Sequence, residues 1–229
     1  MKFKSLLLFC FLFFSTVFTP AFAPILGATD TDEWKLRKES EGIMVYTRPV
    51  KGSPYHEFRA ITKAKTSLFS LVAIWADPVS YSQWMYDCKS ADLLNQESSK
   101  KLYIYIVSSI PWPLTTRDNI LYSETSQDDK NGKITIKLMA KPEYIPQNKN
   151  MVRVVKAYGK IELTPLEDGE TKVIFELYLD PGGFVPASIA NYYVIDYPFF
   201  TLKKMSEEVK KQKYQEANFD FFRNSNYGK

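Results

Sequence analysis

The stretch "LDPGGFVPASIANYYVIDYPFF", residues 179–200, decides how the rest of the chain is read. A strand-like run ends at Asp180, Gly182 and Gly183 turn the chain, and Pro186 stands at an early helical position, where its missing N–H is no loss. From Val185 to Phe200 the only strongly polar side chains are Asn191 and Asp196. A helix on a protein surface carries a polar face about half way round. This one calls for apolar neighbours on nearly every side, from a core, a membrane or a bound lipid.

The strands before it supply such neighbours. In "TKVIFELYLD" (171–180) Val173, Phe175, Leu177 and Leu179 point one way, with Lys172, Glu176 and Asp180 the other. The preceding "VRVVKAYGKIELT" (152–164) offers Ala157, Gly159, Ile161 and Leu163 as the matching apolar row, and Asp168-Gly169 between the two runs is a hairpin signal. "LYIYIV" (102–107), "RDNILYSET" (117–125) and "KITIKLMA" (133–140) bring the set to about five antiparallel strands. "LYIYIV" is β-branched and aromatic throughout, as in a strand covered on both faces.

Upstream, "DEWKLRKESEGIMVYTRPV" (32–50) reads as a short helix followed by a strand, with Trp34 and Leu36 buried and Gly42 as the turn. "HEFRAITKAK" (56–65) reads as a further strand. A helix starts at Thr66 or Ser67, with Leu68, Leu71, Val72 and Trp75 at helical spacing, and Asp77-Pro78 breaks or restarts it. The last helix is expected to run to about Gln212, kinked or interrupted near Val194–Asp196 by Pro198. The pattern is α+β: a curved antiparallel sheet with one long C-terminal helix laid against it.

The N-terminus reads differently. Lys2 and Lys4 precede an uncharged, largely apolar stretch of thirteen residues, Leu6 to Phe18, and Ala21-Phe22-Ala23 has the spacing a signal peptidase cuts. Residues 1–28 are therefore expected to be a signal peptide, cleaved after Ala23 or Ala28, with a domain over 29–215 and a tail over 216–229. The alternative is an uncleaved membrane anchor, but Pro20 and Pro24 interrupt the run well short of the ~20 residues a spanning helix needs. The expected location is the periplasm or the secreted fraction. The formal charge of +4 falls to +2 without Lys2 and Lys4, too small a bias for nucleic acid. Cys88 stands alone after the leader, and no Asn-x-Ser/Thr sequon occurs, which favours a bacterial envelope.

"SIPWPLTTRDNI" (109–120), "DPGGFVPASIAN" (180–191) and "YPFFTLKKM" (197–205) resemble, in order and spacing, the motifs of START domains, the steroidogenic-acute-regulatory-protein-related lipid-transfer family. The resemblance runs from about Trp34 to Lys213. It implies a helix-grip fold, in which the sheet wraps around the last helix and encloses a hydrophobic tunnel for one lipid molecule: a phospholipid, fatty acid, sterol or other polycyclic lipid. It implies binding or carriage by a monomer without a cofactor, with transient membrane contact. In steroidogenic-type members a Glu lies thirteen residues before the Arg of Arg-Asp and an Arg six after it. Here those places hold Ile104 and Ser123, which removes that charged pair.

On this basis Ile104, Arg117, Ser123, Phe175, Leu177, Asn191, Ile195, Phe199, Leu202 and Met205 are expected to line the tunnel, with Gly182, Gly183 and Pro198 as gating points. Arg117 either meets a lipid headgroup or pins the strand start by pairing with Asp118 or a neighbouring acid. Asn191 is either a ligand anchor or a satisfied core amide. Lys203, Lys204, Lys210, Lys211 and Lys213 form either a solvated face or a membrane-docking one, and Trp112 is either loop packing or a membrane contact. Catalytic signatures are thin: His56 is the only histidine, and Ser98-x-x-Lys101 lacks companion motifs. The runner-up reading is a helix-grip enzyme of cyclase or hydrolase type, and a third is a lipid-sensing regulatory module.

Overall fold

The computed structural model describes residues 33–109, 114–167, 169–220 and 222. Three strands come first, β1 (Lys35–Ser40), β2 (Ile43–Pro49) and β3 (His56–Ala64). A helical insert follows, made of α1 (Leu68–Trp75), a 3-10 turn (Pro78–Ser80) and α2 (Tyr81–Trp84). Then come β4 (Cys88–Ser98), β5 (Lys101–Ser108), β6 (Arg117–Gln127), β7 (Ile134–Ala140), the two-residue β8 (Val152–Arg153), β9 (Lys156–Pro165) and β10 (Thr171–Asp180). The last described helices are α3 (Ala187–Glu208) and a short α4 (Gln212–Gln215). The strands form one sheet in the order β1-β2-β3-β10-β9-β7-β6-β5-β4, antiparallel throughout, with β8 parallel to the start of β6.

The alternation read in β9 and β10 is realised pair by pair: Val173 opposite Leu163, Phe175 opposite Ile161, Leu177 opposite Gly159 and Leu179 opposite Ala157. Carried across the register, the same face includes Phe58 and Ala60 of β3, Ile134 and Ile136 of β7, Leu121 and Ser123 of β6, and Leu102, Ile104 and Ile106 of β5. The apolar members of this inner face form the main core, together with α1 and the deep face of α3. Gly159 marks its tightest point. A Cβ there would lie 2.2 Å from the Glu176 carbonyl oxygen, so only glycine lets β9 and β10 close at that level.

The first segment departs from expectation. Residues 35–40 form an edge strand, not a helix; Glu41 and Gly42, both at positive φ, turn it into β2. "KLRKES" has helix-forming composition, but pairing with β2 decides its state. Leu36 is consequently 49% exposed, and Trp34 lies only half-buried beside the Arg48 and Arg59 guanidinium groups, 4.5 and 4.4 Å from its ring. Strand β4 has no forecast in the sequence reading. It is the other edge, polar and broken by three register irregularities, devices that keep an open edge from pairing with a second chain.

Ser67 caps α1 by accepting a hydrogen bond from the Ser70 amide at 3.0 Å, and Tyr81 Oη donates to the Trp75 carbonyl to fix the insert. Helix α3 is continuous across Pro198, which is buried, so the expected interruption does not occur. It ends at Glu208, before the expected Gln212. Lys213 and Tyr214 of the α4 segment then bond Asp77, and Phe219 and Phe222 pack on Phe69 of α1. The signal-peptide reading of 1–28 and the reading of Trp112 fall outside the described residues.

Candidate functional site

Helix α3 packs on β2, β3 and α2, and its two halves differ. In the second half Phe199, Leu202 and Met205 are fully buried, as their spacing requires. In the first half Val194, Ile195 and Tyr197 touch the core but stay only partly buried. Tyr197 joins an aromatic set that links helix to sheet: its ring lies 6.0 Å from Phe58 and 6.4 Å from Phe175, with Trp75 5.2 Å from Phe175 on the far side. Burial, and then the nearby Cys88 and Asp87, raise the Tyr197 phenol. Burial and then Asp87 raise Tyr193 likewise, so both rings stay neutral. Burial pushes the Cys88 thiol up to about 11, which leaves it unreactive.

The first half of α3 is held to the sheet by separate polar ties. Asn191 donates through Nδ2 to the Pro54 carbonyl at 3.0 Å and accepts at Oδ1 from the His56 amide at 2.9 Å. Both ends of its amide are thereby used on the turn before β3, as a satisfied tether. Tyr55 Oη donates to the Val185 carbonyl at 3.2 Å, and Lys38 Nζ reaches Asp196 at 2.8 Å while lying 4.0 Å from the Phe199 ring centre. The sequence carries no local sign of these partners, which are more than a hundred residues apart along the chain.

Arg117 opens β6, buried, beneath the loop that leads into α3. Its Nε and Nη2 donate to the Pro181 and Gly182 carbonyls, each at 3.3 Å, and Nη1 donates to the Thr115 carbonyl. It does not pair with Asp118, and among the described residues it has no carboxylate partner. Burial lowers its pKa. Asp118 faces the other side of β6 and makes a bidentate pair with Arg153, at 3.0 and 2.8 Å. Arg153 uses its remaining donors on the Pro142, Ile145 and Pro146 carbonyls, tying the 141–154 segment over the outer face of the sheet. Gly182 and Gly183 both take positive φ, and a Cβ on Gly182 would lie 3.1 Å from the Arg153 carbonyl.

Ile104 and Ser123 are both buried on the inner face, diagonal neighbours across the β5–β6 ladder through Leu102–Ser123 and Ile104–Leu121. Phe175 and Leu177 share that face from β10. Along the inner rows of β5, β6 and β7 the one charged side chain is Arg117. Between Arg117 and Leu121 lies Asn119, a position that the same alternation marks and that the sequence reading passed over. It is 7% exposed, and its Oδ1 has no hydrogen-bond partner. Trp75 Nε1 is likewise unpartnered inside the core; Glu208 Oε1, on the helix, faces Lys211 Nζ at 2.6 Å.

The catalytic candidates separate in space. His56 sits at the start of β3, where burial, then Arg37 and Lys35, lower its pKa and keep the ring neutral. Ser98 Oγ accepts from the Lys100 amide at the β4–β5 turn, and Lys101 pairs with Glu124 at 3.4 Å. Among the described residues no three His, Cys, Asp or Glu side chains converge as a metal site, and no helix is long and apolar enough to cross a membrane.

A sheet gripping one long helix, with an apolar inner face and an Arg-Asp pair at the head of β6, corresponds to the START domain model, which matches residues 26–214. This chain belongs to the START domain family. An uncharacterised protein of Pseudomonas aeruginosa is 32% identical to this START protein over 197 residues, covering 86% of this chain and 96% of its own. The human phosphatidylcholine transfer protein is 26% identical, covering 74% and 78%. Among solved structures, a STAR-related lipid transfer protein from Xanthomonas axonopodis superposes with a TM-score of 0.73 at 34% identity, over 78% of this chain and 99% of that one. Human STARD10, at 17% identity and a TM-score of 0.67 over 79% and 74%, shares the fold.

Proposed function

We propose that this START domain takes up one lipid molecule between the inner face of β5–β7 and the first half of α3, and carries it between membranes. The observation that carries the reading is the inner face itself: Leu102, Ile104, Ile106, Leu121, Ile134 and Ile136 form a continuous apolar wall, and α3 packs on the opposite side of the grip, on β2 and β3. Such a wall binds acyl chains or rings by burial, at ~0.8 kcal/mol per CH₂, with few polar contacts. The family membership and the names of the lipid-transfer relatives support it.

The proline-glycine loop 181–183 and the first half of α3 serve in this reading as the gate, with Gly182 and Gly183 as its turn and Arg117 as the post on which the loop rests. Residues 1–28 direct export and are removed, which the intact mass of the protein from an envelope fraction tests. The lipid itself is identified by mass spectrometry of the protein purified from its native membrane-containing extract. One lipid per protein is the expected result. No co-purified lipid, together with no uptake from vesicles, ends the carrier reading.

A further inference from the structure

On the inner row of β6 the side chains run Arg117, Asn119, Leu121, Ser123, and opposite them on β5 stand Ser108, Ile106, Ile104 and Leu102. Asn119 faces Ile106, which is itself buried, and its carboxamide oxygen is buried without a partner. Buried polar atoms in folded proteins are nearly always hydrogen-bonded, because water is lost there and nothing replaces it. A carbonyl oxygen accepts only, so the missing partner is an N–H or O–H donor. The isoleucine and leucine neighbours carry no donor, and neither Ser108 nor Arg117, the polar neighbours, hydrogen-bonds to it.

Arg117 fixes the kind of donor. It lies two positions along the same row, roughly 7 Å away by strand geometry, and has no carboxylate partner among the described residues. Three of the five guanidinium donors go to the Thr115, Pro181 and Gly182 carbonyls. An uncompensated buried cation repels a second cation and attracts an anion. A trimethylammonium group is excluded twice, as a cation and as a group without a donor. A primary ammonium offers donors but brings the wrong charge.

We infer that Asn119 is the specificity point of the lipid site, accepting a hydrogen bond from a hydroxyl on the headgroup of an anionic phospholipid whose phosphate lies toward Arg117. The inference rests on the lipid-carrying reading and narrows it to a class of ligand.

The test is a competition within one vesicle, which keeps surface charge constant for every lipid. Full-length protein cleared of lipid is incubated with vesicles holding phosphatidylglycerol, phosphatidylmethanol and phosphatidylcholine of identical acyl chains, and the bound lipids are counted by mass spectrometry. Phosphatidylmethanol is anionic but has no hydroxyl. Phosphatidylglycerol should exceed it by about tenfold, the scale of one buried hydrogen bond. Asn119→Leu, similar in volume and in want of no partner, should abolish that preference, bringing the ratio of the two anionic lipids bound to about one. As a measurement that needs no variant, the Asn119 side-chain amide resonance should shift on adding phosphatidylglycerol and not phosphatidylmethanol. Equal uptake of the two anionic lipids, or a preference that survives in Asn119→Leu, overturns the assignment of Asn119 and leaves the carrier reading standing. If the wild-type protein takes up none of the three, the assignment to an anionic phospholipid falls, and the carrier reading is decided by whether another lipid co-purifies.

Discussion

Asp118 and Arg153 show how much depends on single partners. Both are buried, their charged groups face each other at 2.8 Å, and the remaining Arg153 donors are taken up by three carbonyls. Asp118→Ala leaves the guanidinium buried with carbonyls alone, which is expected to cost about 3–5 kcal/mol. Urea unfolding checks this, and a midpoint unchanged from wild type would show that the pair contributes little. Adjacent residues in the sequence thus have opposite tasks. Arg117 looks inward and holds the loop before α3, while Asp118 looks outward and holds the 141–154 segment. The Arg-Asp motif was visible in the sequence, but that each member reaches a different partner follows from strand alternation plus contacts 35 and 64 residues away.

At the level of elements, α3 is one continuous helix with unequal attachment. Its second half is anchored by Phe199, Leu202 and Met205 in the core, whereas its first half depends on Asn191, Tyr55 and Lys38 hydrogen bonds around partly buried apolar residues. Few buried contacts and a handful of polar ties are what make a segment able to open locally. Joining cysteines at Pro54 and Asn191 with a short thiol-to-thiol crosslinker should therefore stop lipid exchange between vesicles, with recovery after the crosslinker is cleaved. Undiminished exchange in the crosslinked protein would rule out this helix half as the gate. The apolar excess of 185–200 was legible as a call for apolar neighbours. Which half is loosely held was not, because the difference lies in the turn before β3 that receives Asn191.

For the whole molecule, the sheet joins its first strands to its last, since β3 pairs with β10, and an apolar patch lies where α3 begins. Phe184 is 85% exposed and Tyr192 68% exposed, with Ile189 on the same stretch. Lys203 and Lys210, by contrast, are paired with Glu41 and Glu207, and Lys213 with Asp77, so the basic face is largely engaged within the protein. The patch is thus the better candidate for membrane contact. Phe184→Ser with Tyr192→Ser should reduce association with lipid vesicles several-fold at an unchanged melting temperature, in a sedimentation assay; full retention of binding would place contact elsewhere. The hydrophobic alternation of β9 and β10, the helix behind the two glycines and the family motifs were determined by sequence alone, because periodicity and turn chemistry are local properties. Tertiary structure alone decided that 35–40 is a strand, that β4 closes the far edge, that Asn191 is spent on a backbone turn, and that Asn119 is left with an unanswered oxygen. Each of those depends on what lies opposite a residue across the sheet or across the grip, and that is set by pairing between segments far apart in the chain.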